Sequence, residues 1–123
     1  MNNKNVLLVD DSILTRKQLG EILEEAGCRI KEYAVDGIDA LEKFRLNQDF
    51  IDLVTLDITM PKMDGIETLR EIMKIKPDAK VYMVSSMGKD QIIKECMSLG
   101  ASGFIVKPFY KKKIFETILS VSA

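Results

Sequence analysis

Val6-Leu7-Leu8-Val9-Asp10-Asp11 is four apolar residues in succession closed by two aspartates, and Leu53-Val54-Thr55-Leu56-Asp57 repeats the arrangement later in the chain. An unbroken apolar run of this length is how a strand buried on both faces of a parallel sheet reads. In open α/β sheets, ligands bind beyond the carboxyl ends of the strands. Asp10, Asp11 and Asp57 are therefore expected together at one edge of the sheet. Crowded carboxylates repel one another, so either a pKa rises or a cation joins them.

Working outward, apolar runs alternate with segments of helical period along the whole chain. Strands are expected near 5–9, 29–33, 52–56, 80–84 and 103–106, and helices near 13–26, 37–46, 65–75, 89–99 and 110–121. Leu19, Ile22, Leu23 and Ala26 share one face of the first helix, and Gly27 ends it. Leu41 and Phe44 face inward from the second, which starts at Asp36-Gly37, and Ile66, Leu69 and Met73 from the third, which starts at Asp64-Gly65. Ile92, Ile93 and Cys96 mark the fourth, stopped by Gly100, and Ile114, Ile118 and Val121 the fifth. Five βα units with short links and right-handed crossovers predict a doubly wound parallel α/β sheet of flavodoxin-like (βα)5 type, strand order 2-1-3-4-5. Strands 1 and 3 are then neighbours, which brings Asp57 to Asp10 and Asp11.

The totals narrow the function. With 123 residues the chain is expected to form one domain over 1–123, without linker or repeat. A net charge of -1 gives no global field to draw it to nucleic acid or an anionic membrane. No apolar stretch approaches a membrane span, and the polar Met1-Asn2-Asn3-Lys4-Asn5 start argues against a signal peptide. Cys28 and Cys96 form no CxxC pair and are expected as reduced, inert thiols of a cytoplasmic protein. The chain has no histidine, which removes Ser-His-Asp and Cys-His catalysis together.

Two further strand ends add chemistry. Val81-Tyr82-Met83-Val84 leads into Ser85-Ser86, a hydroxyl source, and Phe104-Ile105-Val106 leads into Lys107-Pro108, an ammonium in a constrained turn. Three carboxylates, a hydroxyl and a lysine about one point suit a phosphoryl group with Mg2+, which takes one or two carboxylates, waters and a phosphate oxygen. A carboxylate can itself be the nucleophile and become an aspartyl phosphate.

Val9-Asp10-Asp11-Ser12, the run Leu56-Asp57-Ile58-Thr59-Met60-Pro61-Lys62-Met63-Asp64-Gly65, Val84-Ser85-Ser86-Met87-Gly88 and Val106-Lys107-Pro108-Phe109 together resemble the response-regulator receiver domains. Within that family the chain looks most like single-domain chemotaxis regulators of CheY type. The resemblance implies that Asp57 accepts a phosphoryl group from a phosphohistidine on a CheA-like histidine kinase. It implies Mg2+, with Mn2+ able to substitute, bound directly by Asp11 and Asp57, largely through water by Asp10, and by the Thr59 carbonyl. Ser85, with Ser86 beside it, and Lys107 would hold the phosphoryl oxygens, Phe104 would follow the hydroxyl by packing, and Lys107-Pro108 would be cis. Tyr110, Lys111, Lys112 and Lys113 would lie on the target surface of helix 4, strand 5 and helix 5. A flagellar motor switch protein and a phosphatase are the implied further partners of a monomer. Self-catalysed phosphorylation and slow autodephosphorylation would be its only chemistry. Thr59 and Met87 replace the asparagine and glutamate of the best-known enteric member, so the phosphoaspartate lifetime does not carry over.

Plainer readings compete residue by residue. Asp10 and Asp11 could cap the first helix, Phe104 could be core, and the Lys111–Lys113 run a solvated face. Met60, Met63, Met83, Met87 and Met97 read as core filler. A phosphorelay intermediate, or the receiver portion of a transcription factor, would present the same sequence. A flavodoxin would set Asp10 and Asp11 against its flavin phosphate, and a dehalogenase-type phosphatase needs a DxD spacing that Asp10-Asp11 lacks.

Overall fold

The computed structural model describes residues 4–119. Strands β1 (Asn5–Val9), β2 (Arg29–Ala34), β3 (Leu53–Leu56), β4 (Val81–Ser85) and β5 (Gly103–Val106) alternate with helices α1 (Ile13–Glu25), α2 (Gly37–Asn47), α3 (Gly65–Ile75), α4 (Asp90–Ser98) and α5 (Lys111–Ile114). All pairings are parallel and the strand order is β2-β1-β3-β4-β5, as the βα alternation predicts.

The period of two along β1 divides the core. Leu7 and Val9 pack on one face of the sheet with Val54, Leu56 and Met83, beneath Leu41 and Phe44 of α2, Leu69 and Ile72 of α3 and Cys96 of α4. Val6 and Leu8 point the other way, joining Tyr82, Val84 and Ile105 beneath Leu19 and Leu23 of α1 and Ile114 of α5. Both faces are thus covered, which is why the strands read as continuous apolar runs. Full burial stabilises each such Leu or Val by roughly 1.5–3 kcal/mol.

The helix ends follow local chemistry. Ser12, Asp36 and Asp64 cap α1, α2 and α3, their side chains accepting the N–H groups of Thr15, Asp39 and Glu67. Ser12 therefore takes the capping role that Asp10 or Asp11 could have filled. Gly27 (φ 94°) and Gly100 (φ 109°) follow α1 and α4 in the left-handed conformation that terminates helices.

The structure departs from the sequence pattern in two places. After Ile114 the last helix widens into a π-helical stretch, Phe115–Leu119, and Ile114 and Ile118 are both in the core; Val121 lies outside the described residues. Met83 is core, and Met60 and Met63 pack against it, but Met87 and Met97 are largely exposed. Met87 sits in the loop after β4, and Met97 is turned outward one residue beyond the buried Cys96. Cys28 and Cys96 are free, and burial pushes both thiols up. Among the described residues, no helix is long and apolar enough to cross a membrane.

Candidate functional site

Register places the acids. Val9 pairs with Ala34 on one side and Leu56 on the other, and the ladder continues through Asp10 N–H to Ala34 O (3.0 Å) and Asp57 N–H to Val9 O (3.1 Å). Asp10 and Asp57 thereby leave neighbouring strands side by side, both buried, while Asp11 is exposed at the rim. One oxygen from each of the three carboxylates lies within 4.8 Å of the others.

The opposite wall comes from β4 and β5. Ser85 pairs with Val106, and Lys107 N–H donates to Ser85 O at 2.9 Å, so the lysine departs directly beside the serine. Its ammonium donates to Asp10 Oδ2 at 2.8 Å and stands 3.5 Å from Asp57 Oδ2. The Lys107–Pro108 peptide is cis. Ser85 is fully buried, and its Oγ accepts the Met87 N–H at 3.1 Å. Ser86 is exposed and lines an open groove of about 430 Å3 with Thr15, Gln18, Pro108 and Phe109, Lys107 at its side.

Asp57 has two unlike oxygens. Oδ1 accepts the Ile58 N–H at 2.8 Å, whereas Oδ2 faces the ammonium. Burial pushes the Asp57 carboxyl above its ordinary range; Lys107 pulls it down, Asp10 pushes it up, and the Ile58 N–H draws it down again. Burial wins. The backbone around Asp57 is equally constrained, because Gly65 N–H donates to Ile58 O at 2.8 Å and a Cβ on Gly65 would overlap the Asp57 carbonyl.

The donor set fits a hard divalent cation. Three carboxylates offer oxygen alone, at a spacing one such ion spans directly or through water, and a lone ammonium leaves them a net negative charge. Thr59 is exposed at the same mouth, and its hydroxyl donates to Met87 Sδ at 3.1 Å. Phe104 is half-buried on β5 opposite Met83, packed against the core. Tyr110, Lys111, Lys112 and Lys113 are exposed and lie apart from the acids; Lys111 pairs with Glu25 of α1 at 2.7 Å.

Around Asp10, one participant escaped the sequence and one stood in a quoted motif. Arg16 of α1 reaches back to donate to Asp10 O at 2.6 Å, and Ser12 N–H donates to Asp10 Oδ1 at 2.9 Å. The Asp10–Ser12 contact is an Asx turn inside the Val9–Ser12 motif, whereas the reach of Arg16 matches no motif and depends on the turn after β1. Lys62 adopts a left-handed φ of 68°, with its ammonium 3.7 Å from Asp36, which ties the loop after Asp57 to the start of α2.

A buried carboxylate with a strand-end lysine, two neighbouring acids and a hydroxyl thus meets at the carboxyl edge of a doubly wound sheet. Residues 6–119 match the family model of the response regulator receiver domain, and the chain belongs to that family. Its relatives include the chemotaxis protein CheY of Treponema pallidum, 47% identical over 116 residues that span 94% of this chain and 81% of the relative. CheY of Thermotoga maritima is 42% identical over 119 residues, 97% of this chain and 98% of the relative. Among solved structures, a CheX–CheY–BeF3–Mg2+ complex from Borrelia burgdorferi superimposes with a TM-score of 0.96 at 46% identity, covering 99% of this chain and 91% of that one. The chain is thus a receiver domain of CheY type, a signalling protein rather than an enzyme turning over a metabolite.

Proposed function

We propose that this chain, as one receiver domain over 1–123, is a phosphorylation-controlled switch of a chemotaxis two-component pathway, with Asp57 as phosphoacceptor. The observation that carries the reading is the convergence of Asp57 Oδ2, the Lys107 ammonium and the Asp10 and Asp11 carboxylates at one sheet edge. The donor is a phosphohistidine on a CheA-like histidine kinase, consistent with a chain that has no histidine of its own.

Asp57 Oδ2 is the nucleophile, since Oδ1 is held by the Ile58 N–H. Its P–O bond forms as the donor's P–N bond breaks, and the departing imidazole nitrogen takes up a proton. Asp11 and Asp57 would hold Mg2+ directly, with Asp10 acting largely through water and Thr59 through its carbonyl, and Mn2+ would substitute. When bound, the ion neutralises negative charge on the transferring phosphoryl group. Lys107 pairs with a phosphoryl oxygen. Ser85 turns its hydroxyl to another, which releases Met87 N–H, and Ser86 lines the approach. Phe104 repacks beside Met83 in response, so the change reaches the surface of α4, β5 and α5, where Tyr110 and Lys111, Lys112 and Lys113 meet a partner.

The relatives' names supply the pathway. By that likeness the pathway is chemotaxis and a CheX-type protein is one partner. To these the proposal adds a histidine kinase, a phosphatase and a flagellar motor switch protein, met in the cytoplasm by a monomer. The switch reading is tested by amide NMR with beryllium fluoride (a phosphoryl mimic) and Mg2+. Shifts at Asp57, Ser85 and Lys107 that extend to Phe104 and Tyr110 are expected; shifts confined to the strand ends would contradict it.

A further inference from the structure

Arg16 is placed against local electrostatics. It lies in the first turns of α1, where the helix dipole disfavours a cation by a few tenths of a kcal/mol. Its side chain is only half-exposed and folds back across the helix start to donate to Asp10 O at 2.6 Å, a short charge-assisted bond. This contact completes a set around one residue. Asp10 N–H donates to Ala34 O, Oδ1 accepts from Ser12 N–H, and Oδ2 accepts from Lys107. With Arg16 on the carbonyl, all four polar groups of Asp10 are held.

The carbonyl that Arg16 grips belongs to the peptide joining Asp10 to Asp11. Fixing that peptide plane fixes the N–Cα bond of Asp11, the base from which its exposed carboxylate extends. We propose that Arg16 is a positioning residue for divalent cation binding, orienting the Asp10–Asp11 peptide so that Asp11 meets Asp57. The inference rests on the Mg2+ site proposed above and assigns it a support outside the acids. Groups that orient metal ligands without touching the metal typically change affinity 10–100-fold when lost.

The sign of the effect separates positioning from simple charge. Removing a cation held on the Asp10 backbone should tighten Mg2+ binding if Arg16 acted only through its field. Removing a positioning group should weaken it. Isothermal titration calorimetry with MgCl2 on the wild-type protein, Arg16→Met, Arg16→Lys and Asp57→Asn reads this directly, and urea unfolding in EDTA reports whether each variant is folded. The expected result is a dissociation constant about tenfold higher for Arg16→Met, with Arg16→Lys, which can still donate to the carbonyl, within about threefold of wild type. An unchanged or lower constant in folded Arg16→Met would overturn the inference and leave the Mg2+ site standing. If Arg16→Met does not fold, Arg16→Gln decides instead, since it removes the charge and keeps an N–H donor: affinity within about threefold of wild type supports the contact, and tighter binding overturns it. Wild-type protein showing no Mg2+ binding that Asp57→Asn abolishes would remove both.

Discussion

Lys107 is the only ammonium against Asp10 and Asp57 among the described residues, and Lys107→Met takes it away while keeping the apolar stem. The lysine side chain is 20% exposed and the two carboxylates 3% and 8%, so water cannot easily replace the lost charge. Breaking a buried ion pair by deleting one partner typically costs about 3–5 kcal/mol. Here one ammonium serves two acids, which are left to repel each other, so the upper part of that range applies. Urea unfolding at pH 7 in EDTA should show it. With a slope of roughly 2 kcal/mol per molar urea, the midpoint falls by about 2 M. Mg2+ should then restore more stability to the variant than it adds to the wild type, because the ion meets an uncompensated pair. A loss below about 1 kcal/mol, or an equal Mg2+ effect in both proteins, would refute the reasoning.

Asp57→Asn should stabilise the metal-free protein at neutral pH. Because the folded carboxyl titrates above its unfolded value of about 3.9, the folded state binds more protons within that window, and wild-type stability falls as pH rises through it. The variant's advantage in urea should therefore shrink on acidification below the raised pKa; an advantage that grows toward pH 4 would contradict the assignment. Gly65→Ala must displace the Asp57 carbonyl or lose the Gly65-to-Ile58 hydrogen bond, so a drop of roughly 10 °C or more in melting temperature is expected by circular dichroism. A melting temperature within about 3 °C of wild type would show that the turn has room to give.

Much of this was legible because the fold buries its strands on both faces. Val6–Val9 and Leu53–Leu56 announce themselves as apolar runs, and the sheet edge is where those runs stop, so Asp10, Asp11 and Asp57 could be named from sequence. Ser85 and Lys107 were found the same way. Exposure along helices was harder to read: Met97 is apolar and next to buried Cys96, yet it turns outward. Arg16 was illegible because its role depends on a long side chain doubling back over a helix start, a contact no periodicity encodes. The unlike oxygens of Asp57 likewise arise from a loop geometry that Gly65 permits and that the sequence signals only as a glycine after Asp64.

The central claim is that Asp57 is a phosphoacceptor supported by a divalent cation. Intact-mass spectrometry after incubation with acetyl phosphate, with Mg2+ and with EDTA, on the wild-type protein and Asp57→Asn, tests it most directly. The account predicts a single phosphoryl adduct that requires Mg2+, is removed by hydroxylamine and is absent from Asp57→Asn. An adduct of equal yield in Asp57→Asn, or none in wild-type protein to which Mg2+ demonstrably binds, would contradict it.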